Sequence, residues 1–200
     1  MGSICASFAA TIFVFSNSMC WVGPPTWVAL LQAQCAATIF SNCAPGRGTA
    51  TPGWDGYPPL ERFETKLLEF TPDVTIIDLV TNDHAAGLTP EQSASNLAQY
   101  VEASRAAGAE PLLMLPWPIN DGFSTDNRGF GIGATRGAIQ ALAAGMGVRT
   151  LDPLEVFDYR TFRVQCTDPD GPGGSAPDGV HPHALACRQA IADYIAPRLP

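Results

Sequence analysis

The chain has 200 residues, of which 46% are apolar and 15% charged, and its formal net charge is −8 at pH 7. This length and apolar content exclude wholesale disorder and predict one domain that covers residues 1–200. The 11 Lys and Arg residues form no basic stripe, which disfavours nucleic acid and anionic membrane surfaces as partners. No uninterrupted apolar run reaches the ~18 residues that predict a transmembrane segment.

The first part of the chain has an unusual charge pattern, because no charged side chain occurs from Met1 to Gly46. Such a stretch is compatible with a signal peptide, a membrane element or buried strands. Ile4–Phe15 has the length of a signal-peptide core, but no basic residue precedes it, so no clear signal peptide is predicted. We expect the stretch to fold into two buried strands and the helix between them.

Strands and helices are predicted to alternate along the whole chain. In chain order the elements are a strand at Ala10–Phe15, a helix capped by Thr26 and ending near Cys35, a strand at Ala36–Phe40, a helix at Leu60–Phe70, a strand at Val74–Val80, a helix from Thr89-Pro90 to near Gly108, a strand at Glu110–Leu115, a helix at Ala134–Ala144, a strand at Val148–Asp152 and a helix at Ala184–Ile195. Loops are predicted at Ala44–Gly53, Ile119–Gly133 and Asp168–Gly179. This alternation predicts an α/β fold, a three-layer α/β/α sandwich with a mainly parallel five-stranded sheet. In such a fold the active site lies at the carboxyl ends of the strands.

Ser18 is a candidate nucleophile, because it follows the first predicted strand and precedes the first helix. A serine in that turn is exposed at the strand end and lies in the positive field of a helix N-terminus. The alternative interpretation is an ordinary turn or capping serine.

His181 is a candidate general base, and Asp178 lies three residues before it, just ahead of the last helix. A carboxylate at this spacing can orient the imidazole, which then accepts the proton of a serine. The alternative is a solvated loop pair. His84 and His183 are the rival bases, since the chain has only three histidines.

Two further positions could donate hydrogen bonds to a developing oxyanion. Asn82 follows the third predicted strand, where its amide could serve this purpose or form an Asx turn. A glycine after the second strand, Gly46 or Gly48, would let a backbone N–H approach a substrate oxygen, or would simply form a turn.

The order of these features resembles the SGNH (GDSL-type) hydrolases, whose fold is flavodoxin-like, over Ile12 to Ile195. Ser18 and Gly46 match the first two blocks of that family, Asn82 matches the third, and Asp178 and His181 match the Asp-x-x-His-Pro block. We expect short-chain acyl or carbohydrate O-acetyl esters as substrates and neither a cofactor nor a metal. The resemblance implies a serine hydrolase of carboxylic esters, with Ser18 as nucleophile, His181 as base and Asp178 as its orienting acid. It also implies an oxyanion hole made by the Ser18 and Gly46 N–H groups and the Asn82 amide. The alternative is a non-catalytic glycan-binding module that retains the fold.

The sequence departs from the family pattern in two places. Ser16-Asn17 stands where Gly-Asp is usual before the serine, and Asn17 keeps the size and hydrogen bonding of the aspartate but loses its charge. Val80 stands where a glycine is usual, which predicts extra bulk beside the oxyanion hole and disfavours positive φ. We expect both to affect the rate and the acyl pocket.

Three loop tryptophans, Trp21, Trp54 and Trp117, fall at the same predicted sheet edge, together with His84. They could contact a sugar or an acyl chain, or could only pack their own loops.

The six cysteines have no CxxC spacing and are even in number, which favours disulfides and secretion over a zinc site. Six buried thiols are the alternative. The predicted topology puts Cys20 and Cys43 at the active-site edge of the sheet, and Cys5 and Cys35 at the opposite edge. The predicted pairs are 5–35, 20–43 and 166–187.

Overall fold

In the computed structural model of the chain, the structure describes residues 10–20, 24–117, 132–157, 166, 182 and 184–200, with the backbone alone at 18, 84 and 85. The predicted loop Asp168–Gly179 and most of Ile119–Gly133 lie outside these residues.

Five strands form one parallel sheet with the order β2-β1-β3-β4-β5. They are β1 (Thr11–Ser16), β2 (Thr38–Cys43), β3 (Val74–Asp78), β4 (Glu110–Met114) and β5 (Arg149–Leu151). β1 and β3 are rich in β-branched and aromatic residues and are almost wholly buried, as expected for inner strands covered on both faces. The predicted α/β fold with a five-stranded sheet is confirmed.

In the described part of the chain, six α-helices connect and cover these strands. They are α1 (Trp27–Gln34), α2 (Pro59–Phe70), α3 (Val80–Ala85), α4 (Pro90–Ala106), α5 (Ile132–Met146) and α6 (Leu185–Ile195). Thr26 caps α1 by accepting the N–H of Ala29 at 3.1 Å, and Thr89 caps α4 in a capping box with Gln92. Within the described ranges, no helix is both long and apolar enough to cross a membrane.

The sheet separates two apolar clusters, which makes the three layers. Ile12 and Val14 of β1 point to one face, where they pack with residues of α1 and α6. Phe13 and Phe15 point to the other face, where they pack with residues of α2, α4 and α5. Successive side chains of a strand alternate between faces, so β1 contributes to both halves of the core.

The absence of charge on α1 is explained by its neighbour α6. Gln34 donates to the Asp193 carboxylate of α6 at 2.8 Å, and Arg188 of α6 donates to the carbonyl of Pro25, just before α1, at 2.9 Å. Gln32 folds back on the chain instead, since its side chain bonds to Ala37 and Ile39 at the start of β2. α1 therefore takes its polar partners from α6 and β2.

β3 ends earlier than the apolar run predicts. The run Val74–Val80 predicts a strand of that length, but pairing stops at Asp78 and the chain enters α3 at Val80. Leu79 and Val80 are buried in the core, so a strand and a helix share one apolar run. Asn82, which was expected just after the third strand, therefore lies in a short helix.

Two of the predicted disulfides are present among the described residues. The Cys20–Cys43 disulfide joins the turn after β1 to the end of β2, with the two Cα atoms 5.9 Å apart. The Cys166–Cys187 disulfide ties Cys166 to α6, which contains Cys187, with the two Cα atoms 5.6 Å apart. Cys35 is also disulfide-bonded, while its predicted partner, Cys5, lies outside the described residues.

Candidate active site

The turn after β1 carries Ser18. The N–H of Asn17 donates to the backbone carbonyl of Asp78 at 3.1 Å, which extends the pairing with β3 by one residue. The Asn17 Oδ1 then accepts the N–H of Met19 at 2.8 Å, and a short 3-10 helix begins at Ser18. This is an Asx turn. A neutral asparagine therefore closes the turn at the position where the family has aspartate.

A buried carboxylate, Asp78, lies at the base of this turn. It accepts a hydrogen bond from the Ser16 hydroxyl at 2.7 Å and another from the Trp117 indole N–H at 2.9 Å. Burial raises the pKa of Asp78 to about 6, although both hydrogen bonds favour its charged form. Sequence reasoning missed this group, because nothing in a β-strand pattern distinguishes a buried aspartate from an exposed one.

The structure corrects the expectation for Trp117. Its side chain is fully buried, and the indole N–H is used by Asp78, so this tryptophan packs in the core and presents no ring to a cleft. Trp54, in contrast, is highly exposed. Trp21 lies outside the described residues, and His84 lies in α3, where the backbone alone is described.

The loop after β2 contains both candidate glycines. Gly46 has φ +77°, a left-handed conformation that glycine adopts without strain. The N–H of Gly48 donates to the Thr51 carbonyl at 3.0 Å, so a turn already uses it. Within the described part of the chain, no acceptor takes the N–H of Gly46. Of the two N–H groups, the one at Gly46 is available to a ligand.

Asn82, on α3, reaches across to this loop. Its Nδ2 donates to the backbone carbonyl of Arg47 at 2.8 Å. An amide nitrogen carries two N–H bonds, so this contact fixes the side chain and leaves a second donor. The contact also brings the Asn82 amide to the residue that follows Gly46.

Val80 lies at the start of α3, and its side chain is buried in the cluster shared with α2, α4 and α5. The bulk that Val80 adds is taken up by this core and is not exposed at the surface. Positive φ is not needed either, because the backbone there is helical.

Thr49 clamps the loop after β2 onto α3 and α4. The Asp83 carboxylate accepts both the N–H and the hydroxyl of Thr49, each at 2.6 Å. Tyr100 donates to the Thr49 carbonyl at 2.7 Å, and Asn96 donates to its hydroxyl at 3.0 Å. Burial raises the pKa of Asp83, and the two bonds from Thr49 oppose that shift. The clamp ties the loop that contains Gly46 to the helix that carries Asn82.

Arg47 is a fully buried cation in the same loop. Its guanidinium donates to the Asn42 carbonyl at 2.8 Å and to Asp55 at 2.5 Å, and its Cζ lies 4.3 Å from the centre of the Phe15 ring. Burial lowers the pKa of Arg47, while Asp55 raises it. A buried charge needs such partners, so Arg47 organises the loop around itself.

The two remaining candidate residues, Asp178 and His181, lie outside the described residues, as does the rival His183. In the sequence they stand between Cys166 and Cys187, which are bonded to each other. The described ranges contain no group of three or more His, Cys, Asp or Glu side chains that could hold a metal ion. The chemical groups described near the turn of Ser18 are hydrogen-bond donors, the Gly46 N–H and the Asn82 amide.

Comparisons with known proteins agree with this architecture. The profile of the GDSL-like Lipase/Acylhydrolase family matches residues 3–188. Among solved structures, the chain is similar to TesA, with 27% identity and a TM-score of 0.68 over 94% of this chain and 96% of that chain. It is also similar to the psychrotrophic esterase EstA from Pseudoalteromonas sp., with 20% identity and a TM-score of 0.69 over 93% and 94% of the two chains. The native aryl esterase of M. smegmatis is similar in the same way, with 20% identity and a TM-score of 0.72 over 95% and 98%. No curated protein matches the chain.

Proposed function

Because the chain belongs to the GDSL-like lipase/acylhydrolase family, we propose that it is a carboxylic ester hydrolase with Ser18 as its nucleophile. One observation carries the proposal, the meeting of three strand ends. β1 lies between β2 and β3 in the sheet, so the turn with Ser18 is flanked by the loop with Gly46 and by α3 with Asn82. Parallel strands bring their carboxyl ends to one edge, and the Asn82 bond to Arg47 ties the two flanking elements together.

The proposed mechanism needs one base and three donors. Ser18 Oγ attacks the ester carbonyl while His181 takes its proton, and Asp178 orients the imidazole. The N–H groups of Ser18 and Gly46 and the Asn82 amide stabilise the oxyanion. His181 then protonates the leaving alcohol, which leaves an acyl group on Ser18. A water molecule, activated by His181, releases the acyl group as a carboxylic acid and restores the serine.

The proposed substrate is a small ester, with a short acyl chain or an O-acetyl group on a carbohydrate. The disulfides Cys20–Cys43 and Cys166–Cys187 support the further proposal that the protein works outside the reducing cytoplasm, in secreted form.

Substitution of Ser18 tests the proposal. Ser18→Ala is expected to lower kcat for p-nitrophenyl acetate by at least ~10³-fold, as loss of a triad nucleophile does. Ser41→Ala is the matched control, because Ser41 is an exposed serine of β2, and it should keep the wild-type rate. A fluorophosphonate should label the wild type and Ser41→Ala but not Ser18→Ala. An active, labelled Ser18→Ala protein would exclude the assignment.

Three histidine variants test the base. His181→Ala should reduce kcat about as strongly as Ser18→Ala, whereas His84→Ala and His183→Ala should retain most activity. Asp178→Asn is expected to retain the fold and to lose kcat, because the imidazole would no longer be held in the right tautomer. Strong loss in His84→Ala or His183→Ala, with an active His181→Ala, would reassign the base.

A further inference from the structure

Trp54 has the most exposed large apolar side chain among the described residues, with 82% of its surface accessible. Single exposed apolar side chains are ordinary on protein surfaces, so the position of this ring in the fold, rather than its exposure alone, is what points to a contact. Tyr57, on the same loop, has the guanidinium of Arg62 over its ring at 4.7 Å. Within the described ranges, neither an aromatic ring nor a cation packs on Trp54 in this way. Its ring faces are therefore open to a ligand.

The indole of Trp54 lies beside Gly46. A Cβ built on Gly46 would be 3.7 Å from Cδ1 and 3.9 Å from Nε1 of Trp54, which are ordinary contact distances. Gly46 supplies one of the proposed oxyanion donors, so a substrate carbonyl bound there would put the rest of the ester near the indole.

The backbone that presents this ring is fixed at three points. The N–H of Trp54 donates to the Pro45 carbonyl at 2.9 Å. The next residue, Asp55, is paired with the buried Arg47 at 2.5 Å. The preceding residue, Gly53, lies so close to the loop that a Cβ there would be 2.7 Å from the Cβ of Ala44. A contact held in place before binding costs less ordering entropy when the ligand arrives.

We propose that Trp54 forms a stacking subsite for a flat ring carried by the ester, either an aryl group or a pyranose. An indole face binds both ring types through dispersion and C–H contacts, and an unbranched alkyl ester gains little from it. Trp54 is thus a specificity-determining residue for esters of ring-bearing alcohols or acids. This inference rests on the ester hydrolase activity proposed above and names its substrate class.

Kinetics with matched esters test the subsite. The probes are phenyl acetate, an acetylated methyl glucoside and ethyl acetate. Trp54→Ala should lower kcat/KM about tenfold for phenyl acetate and the acetylated glucoside, or for whichever of the two rings is recognised. A tenfold loss is the effect of one aromatic contact. Most of the change should be in KM. The rate for ethyl acetate should stay within about twofold, and Trp54→Phe should restore most of the loss. Leu68→Ala is the control, because Leu68 is as exposed, at 80%, and lies on α2.

Two outcomes would overturn the inference. Equal losses on all three esters in Trp54→Ala would mean that the residue only supports the loop of Gly46. Unchanged kinetics on all three would mean that the ring touches no substrate.

A binding measurement separates this inference from the proposed activity. Phenyl acetate and the glucoside are titrated into the Ser18→Ala protein, and the indole N–H signals are followed by NMR. The signal that is missing in a Ser18→Ala/Trp54→Phe protein belongs to Trp54, and it should shift on titration. If the Trp54 signal shifts but the wild-type protein hydrolyses no ester, the proposed activity is refuted and the subsite is retained. An unmoved Trp54 signal would refute the subsite even in an active enzyme.

Discussion

The Asn82 side chain donates to the Arg47 carbonyl at 2.8 Å, so the third strand's helix and the second strand's loop are joined by one amide. Asn82, a proposed oxyanion donor, thus also ties together the two elements that flank the nucleophile turn. The two roles can be separated, because the first affects kcat and the second affects stability.

We expect Asn82→Ala to lower kcat for p-nitrophenyl acetate by ~10²–10³-fold, the effect of removing one oxyanion donor. The free energy of unfolding should fall by only ~1 kcal/mol, the net value of one hydrogen bond. Steady-state kinetics and urea unfolding measure the two effects. Asn82→Asp keeps the size but replaces the N–H donors by a carboxylate, and it should be no more active. A kcat above half of the wild-type value in Asn82→Ala would remove Asn82 from the oxyanion hole.

Gly48 is predicted to be essential for packing, although its N–H is committed to a turn. A Cβ on Gly48 would overlap Oδ1 of Asp83, the atom that accepts the Thr49 N–H. We expect Gly48→Ala to displace this carboxylate and to destabilise the protein by ~2 kcal/mol, as overpacking does. Activity should fall as well, because the clamp positions the loop of Gly46.

Gly137→Ala is the matched control for this prediction. Gly137 is an exposed position of α5, and a Cβ there would meet no atom within 4 Å. Alanine in a helix is favoured over glycine by ~0.5–1 kcal/mol, so the control should gain stability in the same urea measurement. A Gly48→Ala protein as stable as wild type would mean that Asp83 does not hold the loop.

The sequence predicted the sheet well, because inner strands such as β1 and β3 are continuous apolar runs bounded by turn residues. β2 was predicted less well. It begins at Thr38 and extends to Cys43 through polar residues, because its register with β1 carries on to Ser16. An edge strand needs no apolar run, and pairing rather than composition sets its end.

The surroundings of the candidate residues were predicted only in part, for a similar reason. Ser18, Gly46 and Asn82 follow strand ends that the sequence indicated, and their order carried the family resemblance. The carboxylates behind them could not be predicted. Asp78 and Asp83 are buried by contacts with Trp117 and Thr49, which come from other elements, and local patterns contain no information on those contacts.

Asp78 predicts a pH dependence of stability with an unusual sign for an aspartate. Its pKa is raised from 3.8 to about 6 by burial, so the folded state holds its proton more tightly than the unfolded state. The contribution of Asp78 to the free energy of unfolding is fully present below about pH 4, where the carboxyl is protonated in both states. It is lost as the pH rises through 6 and the folded state must also give up the proton. At ~1.4 kcal/mol per pKa unit, the loss amounts to roughly 3 kcal/mol.

Asp78→Asn should abolish this dependence. The amide resembles the protonated acid, since its oxygen can accept from Trp117 and its Nδ2 can donate to the Ser16 hydroxyl. The free energy of unfolding of the variant, relative to wild type, should therefore increase between pH 4 and pH 7 in urea titrations. Ser16→Ala should move the dependence to higher pH, because it removes a bond that favours the charged form. Parallel stability curves for wild type and Asp78→Asn would contradict the prediction.

The disulfide between Cys20 and Cys43 joins the nucleophile turn to the strand that leads to Gly46. Its two cysteines are 23 residues apart, and loss of such a cross-link costs ~3 kcal/mol in the chain-entropy description. We expect Cys20→Ala/Cys43→Ala to lose about this much stability and also to lose kcat, because Ser18 and Gly46 would be less firmly held. The Cys166–Cys187 disulfide closes a loop of similar separation, 21 residues, so Cys166→Ala/Cys187→Ala provides the comparison for stability alone. If the first pair of substitutions lowered stability while kcat stayed at the wild-type value, the disulfide would have no part in positioning the site.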